Sequence, residues 1–247
     1  MNPWPAEDSA DWKLYQLRLA ADCGLGVPET LCSTDQQEIE AFVAEIERSG
    51  RRVVYKHASS IAAFGMPTRI VDAAARKRFA SLVYAPSLFQ AEVTGGVDLR
   101  VAVIGEAIFC CEWRGSSRER SFADVKLEDD LRMYPAAFPA GARTQLLSLH
   151  ARLGLKLGIY DFKLDAAGVP FFLEVNPSGQ WLDMEIEGGQ PVSMALAHLL
   201  AGVEPDVEAD HRPSGSTYSR ADLDRIYTAA VPPRGSLDWQ LVYTANA

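Results

Sequence analysis

A two-lobed α+β architecture follows from three features of this 247-residue sequence. Apolar residues at helical spacing alternate with short runs of branched and aromatic residues. Gly105-Glu106 and Asp165-Ala166-Ala167-Gly168 supply turns between adjacent strand-like runs, so those runs pair as hairpins. Thr94-Gly95-Gly96 is a flexible break between an N-terminal and a C-terminal set of elements. The expected divisions are residues 1–87 for the first lobe, 88–202 for a hinge and second lobe, and 203–247 for a C-terminal extension.

Residues 10–23 repeat apolar side chains at helical spacing, with Trp12, Leu14, Leu17, Leu19 and Ala20 on the stripe and Gly24 as the stop. A strand is expected at 27–32. Thr34 or Asp35 can cap the next helix, whose Ile39, Phe42, Val43 and Ile46 make an apolar face ending near Gly50. Strands are expected at 51–56 and 67–71, then a helix at 73–82. Residues 88–93 read as a crossing strand into the glycine hinge. Beyond it, 98–104 and 107–113 form a hairpin, 144–157 a helix, and 160–163 with 173–177 a second hairpin. Pro191 suits the first turn of a helix to Leu200. After Gly202, Pro205, Pro213 and Gly215 among acidic residues mark a linker, with one helix and an extended tail from Tyr218.

Composition excludes several classes. A hydrophobic content of 48% in a chain this long supports a sizeable core. No apolar run reaches spanning length, and Met1-Asn2-Pro3-Trp4-Pro5 is no signal peptide, so a cytoplasmic protein without a membrane partner is expected. The formal charge of −9 argues against a general nucleic-acid surface. Cys23, Cys32, Cys110 and Cys111 show no C-x-x-C spacing, and strand neighbours point to opposite faces, so they read as reduced, packed thiols. His57, His150 and His198 have no spacing that suggests a triad or a zinc ligand set.

The chemistry concentrates in the second hairpin, Tyr160-Asp161-Phe162-Lys163 and Leu173-Glu174-Val175-Asn176-Pro177. Strand alternation puts Glu174 and Asn176 on one face. If the four-residue turn closes evenly, Asp161 lies opposite Phe172 and diagonal to Glu174, about 7–8 Å away, which a shared cation can bridge. Two carboxylates and an amide oxygen suit a hard divalent ion that keeps part of its shell for phosphates. The alternative is a polar hairpin face in water.

The continuation Asn176-Pro177-Ser178-Gly179-Gln180-Trp181, with Glu185 and Pro191-Val192-Ser193-Met194-Ala195-Leu196-Ala197, resembles the end of the ATP-grasp carboxylate ligases. The Asn-Pro-x-Gly-Gln-Trp run resembles the microviridin-type, or graspetide, branch, whose members join side chains within ribosomally made peptides. The resemblance extends from about Asp11 to Leu200. It implies an ATP-grasp fold, two α+β lobes clasping ATP, with ATP and Mg2+ as cofactors and a precursor peptide as partner. Asp161, Glu174 and Asn176 take the place of the metal ligands.

The same resemblance assigns further residues. Lys56, ending Val53-Val54-Tyr55-Lys56, matches a phosphate lysine, and Lys13 an earlier lysine of the first helix. Ser59-Ser60-Ile61-Ala62-Ala63-Phe64-Gly65 falls where a mobile loop closes over ATP, with one glycine instead of several. Gln90, Glu92 and Val93 match the hinge strand that reads adenine, and Ala91 stands where an acid is frequent. Asp98-Leu99-Arg100 resembles a D-x-R segment, implying ribose contact for Asp98 and phosphate or transition-state contact for Arg100. Without the resemblance, Asp98 and Arg100 read as an ion pair on one strand face, since i and i+2 project together, and Lys13 as a helix surface charge.

Asp124-Val125-Lys126 stands where the graspetide branch has Asp-Trp-Arg, so Lys126 keeps the charge without the bidentate fork. Arg114, Arg118, Arg120 and Lys126 form either a solvated loop or a receiver for peptide carboxylates. Trp181 is expected to pack. Relatives usually carry a domain ahead of the first ATP-grasp helix, whereas this chain opens on that helix. The expectation is a compact ligase, or one completed by a second copy or a partner protein. Three readings stand at this stage: a ligase forming side-chain esters or amides in a peptide through an acyl phosphate, an ATP-grasp ligase joining free amino acids, and a non-catalytic nucleotide-binding subunit.

Overall fold

A computed structural model describes residues 1–57, 68–115 and 132–203. The loop at 59–65, Arg118, Arg120, Lys126 and the extension from residue 204 lie outside the described residues. Two antiparallel sheets organise the rest. The first contains β1 (Thr30–Ser33), β2 (Val53–His57), β3 (Arg69–Ile70) and β4 (Ser87–Ala91) in the order β1-β4-β2-β3. The second contains β5 (Asp98–Ile104), β6 (Ala107–Arg114), β7 (Arg132–Pro135), β8 (Leu157–Leu164) and β9 (Pro170–Asn176) in the order β7-β6-β5-β8-β9.

Helix α1 (Trp4–Ala10) precedes α2 (Lys13–Asp22), a separation the apolar stripe of α2 does not announce. Helix α3 (Gln36–Arg48) starts where Asp35 accepts hydrogen bonds from the Gln37 and Glu38 amides at 2.7 and 3.2 Å, satisfying two orphan donors of the first turn. The single helix expected at 73–82 is instead α4 (Ala73–Arg76), capped by Asp72, followed by a 3-10 segment, Phe79–Tyr84. Helix α5 (Arg143–Arg152) ends earlier than expected because Gly154 takes the left-handed φ of 71° and Leu157 already opens β8. Helices α6 (Leu182–Ile186) and α7 (Val192–Ala201) complete the described chain. Among the described residues, no helix is long and apolar enough to cross a membrane.

Strand β4, which the sequence reading groups with the second lobe, hydrogen-bonds in the first sheet between β1 and β2. Its Phe89 and Ala91 pack with Ile39, Val43, Val53 and Phe79 under α3, while Leu88 faces the other way and joins the main core with Leu17, Val101, Leu146, Tyr160 and Phe172. The alternation of one strand thus ties the two sheets together. In the second sheet the same alternation splits adjacent cysteines: Cys110 enters the main core and Cys111 the cluster under α6 and α7. Burial pushes both thiols up, Cys111 to about 12, so they are inert at neutral pH.

His150 on α5 is buried, with Nδ1 2.7 Å from the Tyr160 hydroxyl. Burial holds the imidazole neutral and moves its pKa down from 6.5 to about 4. Between those values the unfolded chain binds a proton that the folded chain refuses. The contribution is therefore intact above pH 6.5 and lost as pH falls towards 4, by about 3 kcal/mol in all. Denaturant midpoints at pH 7 and pH 4.5 should show a smaller acid loss in His150→Gln than in the parent chain. Equal losses in both would remove His150 from the acid sensitivity.

Candidate active site

The second hairpin closes differently from the even turn expected. Leu164 pairs with Pro170, Lys163 with Phe171 and Phe162 with Phe172, so the connection is five residues long. A register shift between Asp161 and Phe162 then passes over Leu173, and Asp161 pairs with Glu174, Tyr160 with Val175 and Ile159 with Asn176. One extra turn residue alone would have moved Glu174 to the wrong face; the bulge restores the parity. Asp161 is therefore directly opposite Glu174, with a Cα separation of about 5 Å, not on the longer diagonal.

Ladder positions on β5 add to this face. Arg100 pairs with Asp161, and Asp98 with Lys163. Arg100 Nη1 meets Asp161 Oδ1 at 2.9 Å, and Lys163 Nζ meets both Asp98 oxygens at 3.0 and 3.1 Å. The alternative of an ion pair between Asp98 and Arg100 thus gives way to two cross-strand pairs, because opposed residues approach more closely than i and i+2 on one strand. From outside the sheet, Lys13 Nζ reaches Glu174 Oε2 at 2.8 Å. The side chains of Lys13, Arg100 and Asp161 are 13, 11 and 14% exposed, and that of Glu174 28%.

The remaining half of this face is apolar, with Ala102, Ile104, Phe109 and Ile159 under Met184, Val192 and Ala195. The Pro177–Trp181 stretch forms the border. A Cβ at Gly179 would fall 2.7 Å from Cβ of Ile159, so only glycine lets this loop lie on the sheet there. The Gln180 carbonyl then accepts from Arg100 Nη2 at 3.0 Å. Trp181 donates Nε1–H to Ser193 Oγ at 3.2 Å and packs against the apolar cluster, as expected of a packing residue. Asn176 is exposed, and its Oδ1 accepts from the Ser178 amide at 3.0 Å.

On the other side, Lys56 pairs with Leu88 and Val54 with Gln90, which puts Lys56 and Gln90 on the face of the first sheet that carries Leu88 towards the main core. Gln90 is buried and donates to Thr30 Oγ1 at 2.9 Å. Glu92 lies just past β4, its carboxylate clamped by Arg52 at 2.6 and 2.7 Å and its amide on the Arg52 carbonyl. Val93 follows, half-buried. Arg114 ends β6, paired with Glu112 and lying 4.9 Å over the Tyr134 ring on the neighbouring strand β7, so it belongs to the sheet.

Gly95 and Gly96 lie against the β8–β9 turn. Gly96 has a φ of 71°, and a Cβ there would overlap the carbonyls of Leu164 and Asp165 in the β8–β9 turn. Gly96→Ala should therefore destabilise by more than about 2 kcal/mol, adding overlap to left-handed strain. Gly105→Ala is the control: it shares a positive φ of 58° but meets nothing within 4 Å, and should cost about 1 kcal/mol. Denaturation midpoints compare them, and equal costs would remove the packing role of Gly96.

Among the described residues, no three of His, Cys, Asp and Glu gather as a metal cluster. The oxygen set available at this face is two facing carboxylates with the Asn176 amide two residues along. That set fits a magnesium ion, which takes few protein ligands and hard oxygens. Asp161 and Glu174 are each already balanced by a cation, so a metal would share or displace Arg100 and Lys13. Lys163 has no counterpart in the sequence reading; its position two residues after Asp161 on the same strand is the signal that could have found it.

No protein-family model matches the sequence, and a search of curated proteins finds no match. Solved structures do match. The macrocyclase MdnC bound with precursor peptide MdnA, from Microcystis aeruginosa MRC, aligns with a TM-score of 0.69 at 28% identity over 81% of this chain and 63% of its own. The macrocyclase MdnB from the same source aligns with a TM-score of 0.60 at 28% identity over 81% and 62%. The ATP-grasp ligase PsnB, complexed with minimal precursor, Mg and ADP, aligns with a TM-score of 0.66 at 26% identity over 80% and 60%. The chain thus spans less than two thirds of the length of each of these neighbours.

Proposed function

We propose that this chain, which has the ATP-grasp fold and ribosomal-peptide ligases as its structural neighbours, is an ATP-dependent ligase that joins side chains within a precursor peptide. The observation that carries the reading is the Asp161–Glu174 pair, face to face beside Asn176 and flanked by Arg100, Lys13 and Lys163. The neighbours support the ligand classes: MdnC is bound with a precursor peptide, and PsnB with a precursor, Mg and ADP.

A peptide Asp or Glu carboxylate attacks the γ-phosphorus of ATP, the bond from that phosphorus to the β–γ bridging oxygen breaks, and ADP leaves. A hydroxyl or amine of the same peptide then attacks the acyl phosphate carbonyl, loses its proton, and expels inorganic phosphate to give an ester or amide. Asp161, Glu174 and Asn176 would hold magnesium, which supplies compensation of phosphate charge. Arg100 and Lys56 align and neutralise phosphate oxygens, and Lys13, once released from Glu174, adds a third cation. Asp98 holds the ribose, and Val93 with the Glu92 carbonyl lines the base site through the main chain, since Gln90 lies in the β2–β4 ladder and the Glu92 amide is engaged with Arg52. Lys126, outside the described residues, is assigned a catalytic role, like Arg100, on the resemblance alone. The two lobes exclude water, which would otherwise hydrolyse the acyl phosphate.

The test is ADP release with magnesium-ATP and a precursor peptide encoded beside the protein, with intact mass read in parallel. Loss of one water per bond, dependent on ATP, is expected. Products from free amino acids alone would redirect the reading to an amino-acid ligase. Nucleotide binding with turnover only after a second protein is added would redirect it to a partner-dependent subunit.

A further inference from the structure

The outer edge of β9 is where the candidate metal carboxylate is held in place. β9 is an edge strand, and an edge strand presents backbone groups that need partners. Here they are met from within the chain. The Gly26 carbonyl accepts from the Phe172 amide at 2.8 Å. Three residues further on, the side chain of Gln16 takes the place of a neighbouring strand: its Oε1 accepts from the Val175 amide at 2.9 Å and its Nε2 donates to the Val175 carbonyl at 2.8 Å. The same Nε2 donates to the Ala10 carbonyl at the end of α1. Gln16 is only 1% exposed, so all three bonds form away from competing water.

A buried glutamine is costly to desolvate unless its amide is matched, and an apolar residue would fill the same helix position. What Gln16 does that an apolar residue cannot is fix the height of α2 against β9. Two residues on that contact matter. Glu174 immediately precedes Val175, so clamping both backbone groups of Val175 sets where the Glu174 carboxylate emerges beside the bulge at Leu173, a point at which the ladder alone holds the strand loosely. Lys13 lies three residues before Gln16, on the same face of α2, and is delivered to Glu174 at 2.8 Å.

We infer that Gln16 is a positioning residue: through paired hydrogen bonds to Val175 it sets Glu174 and Lys13 relative to each other, and so sets the affinity for the divalent ion. This rests on the reading of Glu174 as a metal ligand.

The test measures Mn2+ binding by electron paramagnetic resonance in the complex with ADP, on the full chain, for Gln16→Leu, Gln16→Glu and Glu174→Gln. Amide hydrogen exchange at Val175 is followed alongside. Gln16→Leu should remain folded, exchange the Val175 amide faster, and bind Mn2+ about tenfold more weakly. Gln16→Glu, enclosed as the neutral acid, keeps the acceptor for the Val175 amide and one of the two donors, and should fall between it and the parent chain. If Gln16→Leu does not fold, Gln16→Glu decides by the same criterion. Mn2+ affinity within twofold of the parent in a folded Gln16 variant, while Glu174→Gln loses binding, would overturn the positioning role and leave the site intact. Unchanged Mn2+ binding in Glu174→Gln, or none in the parent, would overturn the site assignment and the inference together.

Discussion

Glu174→Gln is expected to lower ATP-dependent ligation at least about a hundredfold while leaving the fold in place. The amide has the size of the carboxylate and can still accept a hydrogen bond from Lys13, so the contact at 2.8 Å need not open. What it loses is the charge that, with Asp161, would draw a divalent cation to this face. The stability cost should be small, within about 1 kcal/mol, because Glu174 is partly solvated. Asp161→Asn should match the loss of activity at a larger stability cost, since Asp161 and its Arg100 partner are both more enclosed. Initial rates of ADP release and thermal melts read the two effects separately. Full turnover by either variant at ordinary magnesium would remove the metal assignment.

The site was legible in the sequence to the extent that strand parity made it so. Alternation placed Glu174 and Asn176 together, and the aromatic-rich run around Asp161 marked its strand. Parity does not report register, however. The longer turn and the bulge at Leu173 cancel in their effect on facing, and neither residue type announces them, since Val169 and Leu173 are ordinary strand formers. Lys13 could be proposed only from the resemblance, because its contact with Glu174 joins residues far apart in the chain, and the apolar stripe of α2 says nothing about which strand it meets. The missed elements are the short ones. β7 contains only one buried residue, Met133, and ends in proline, while α6 is a five-residue turn of helix too brief to show a period. Strands with a clean turn between them, β5 and β6, were read almost to the residue, because Gly105 can take the positive φ that a tight hairpin needs.

Arg100 offers a second dissociation of stability from chemistry. Its guanidinium holds Asp161 Oδ1 with one arm and the Gln180 carbonyl with the other, so one side chain joins the candidate metal carboxylate to the loop after β9. Arg100→Met removes both bonds and takes from Asp161, 14% exposed, the cation that stands 2.9 Å away; the cost should be about 3 kcal/mol. Adding Asp161→Asn should return much of that stability, since an amide without a cation is far cheaper to enclose, yet the double variant should remain inactive. Arg100→Lys keeps the charge but cannot span two acceptors in the fixed geometry of a planar fork. It should therefore fold with a loss of about 1 kcal/mol and still lose roughly tenfold to a hundredfold in turnover, appearing in kcat more than in KM for ATP. If Arg100 served only to neutralise Asp161, Arg100→Lys would turn over like the parent chain. A fall in kcat in the stable lysine variant places the fork itself, and not merely its charge, in the reaction.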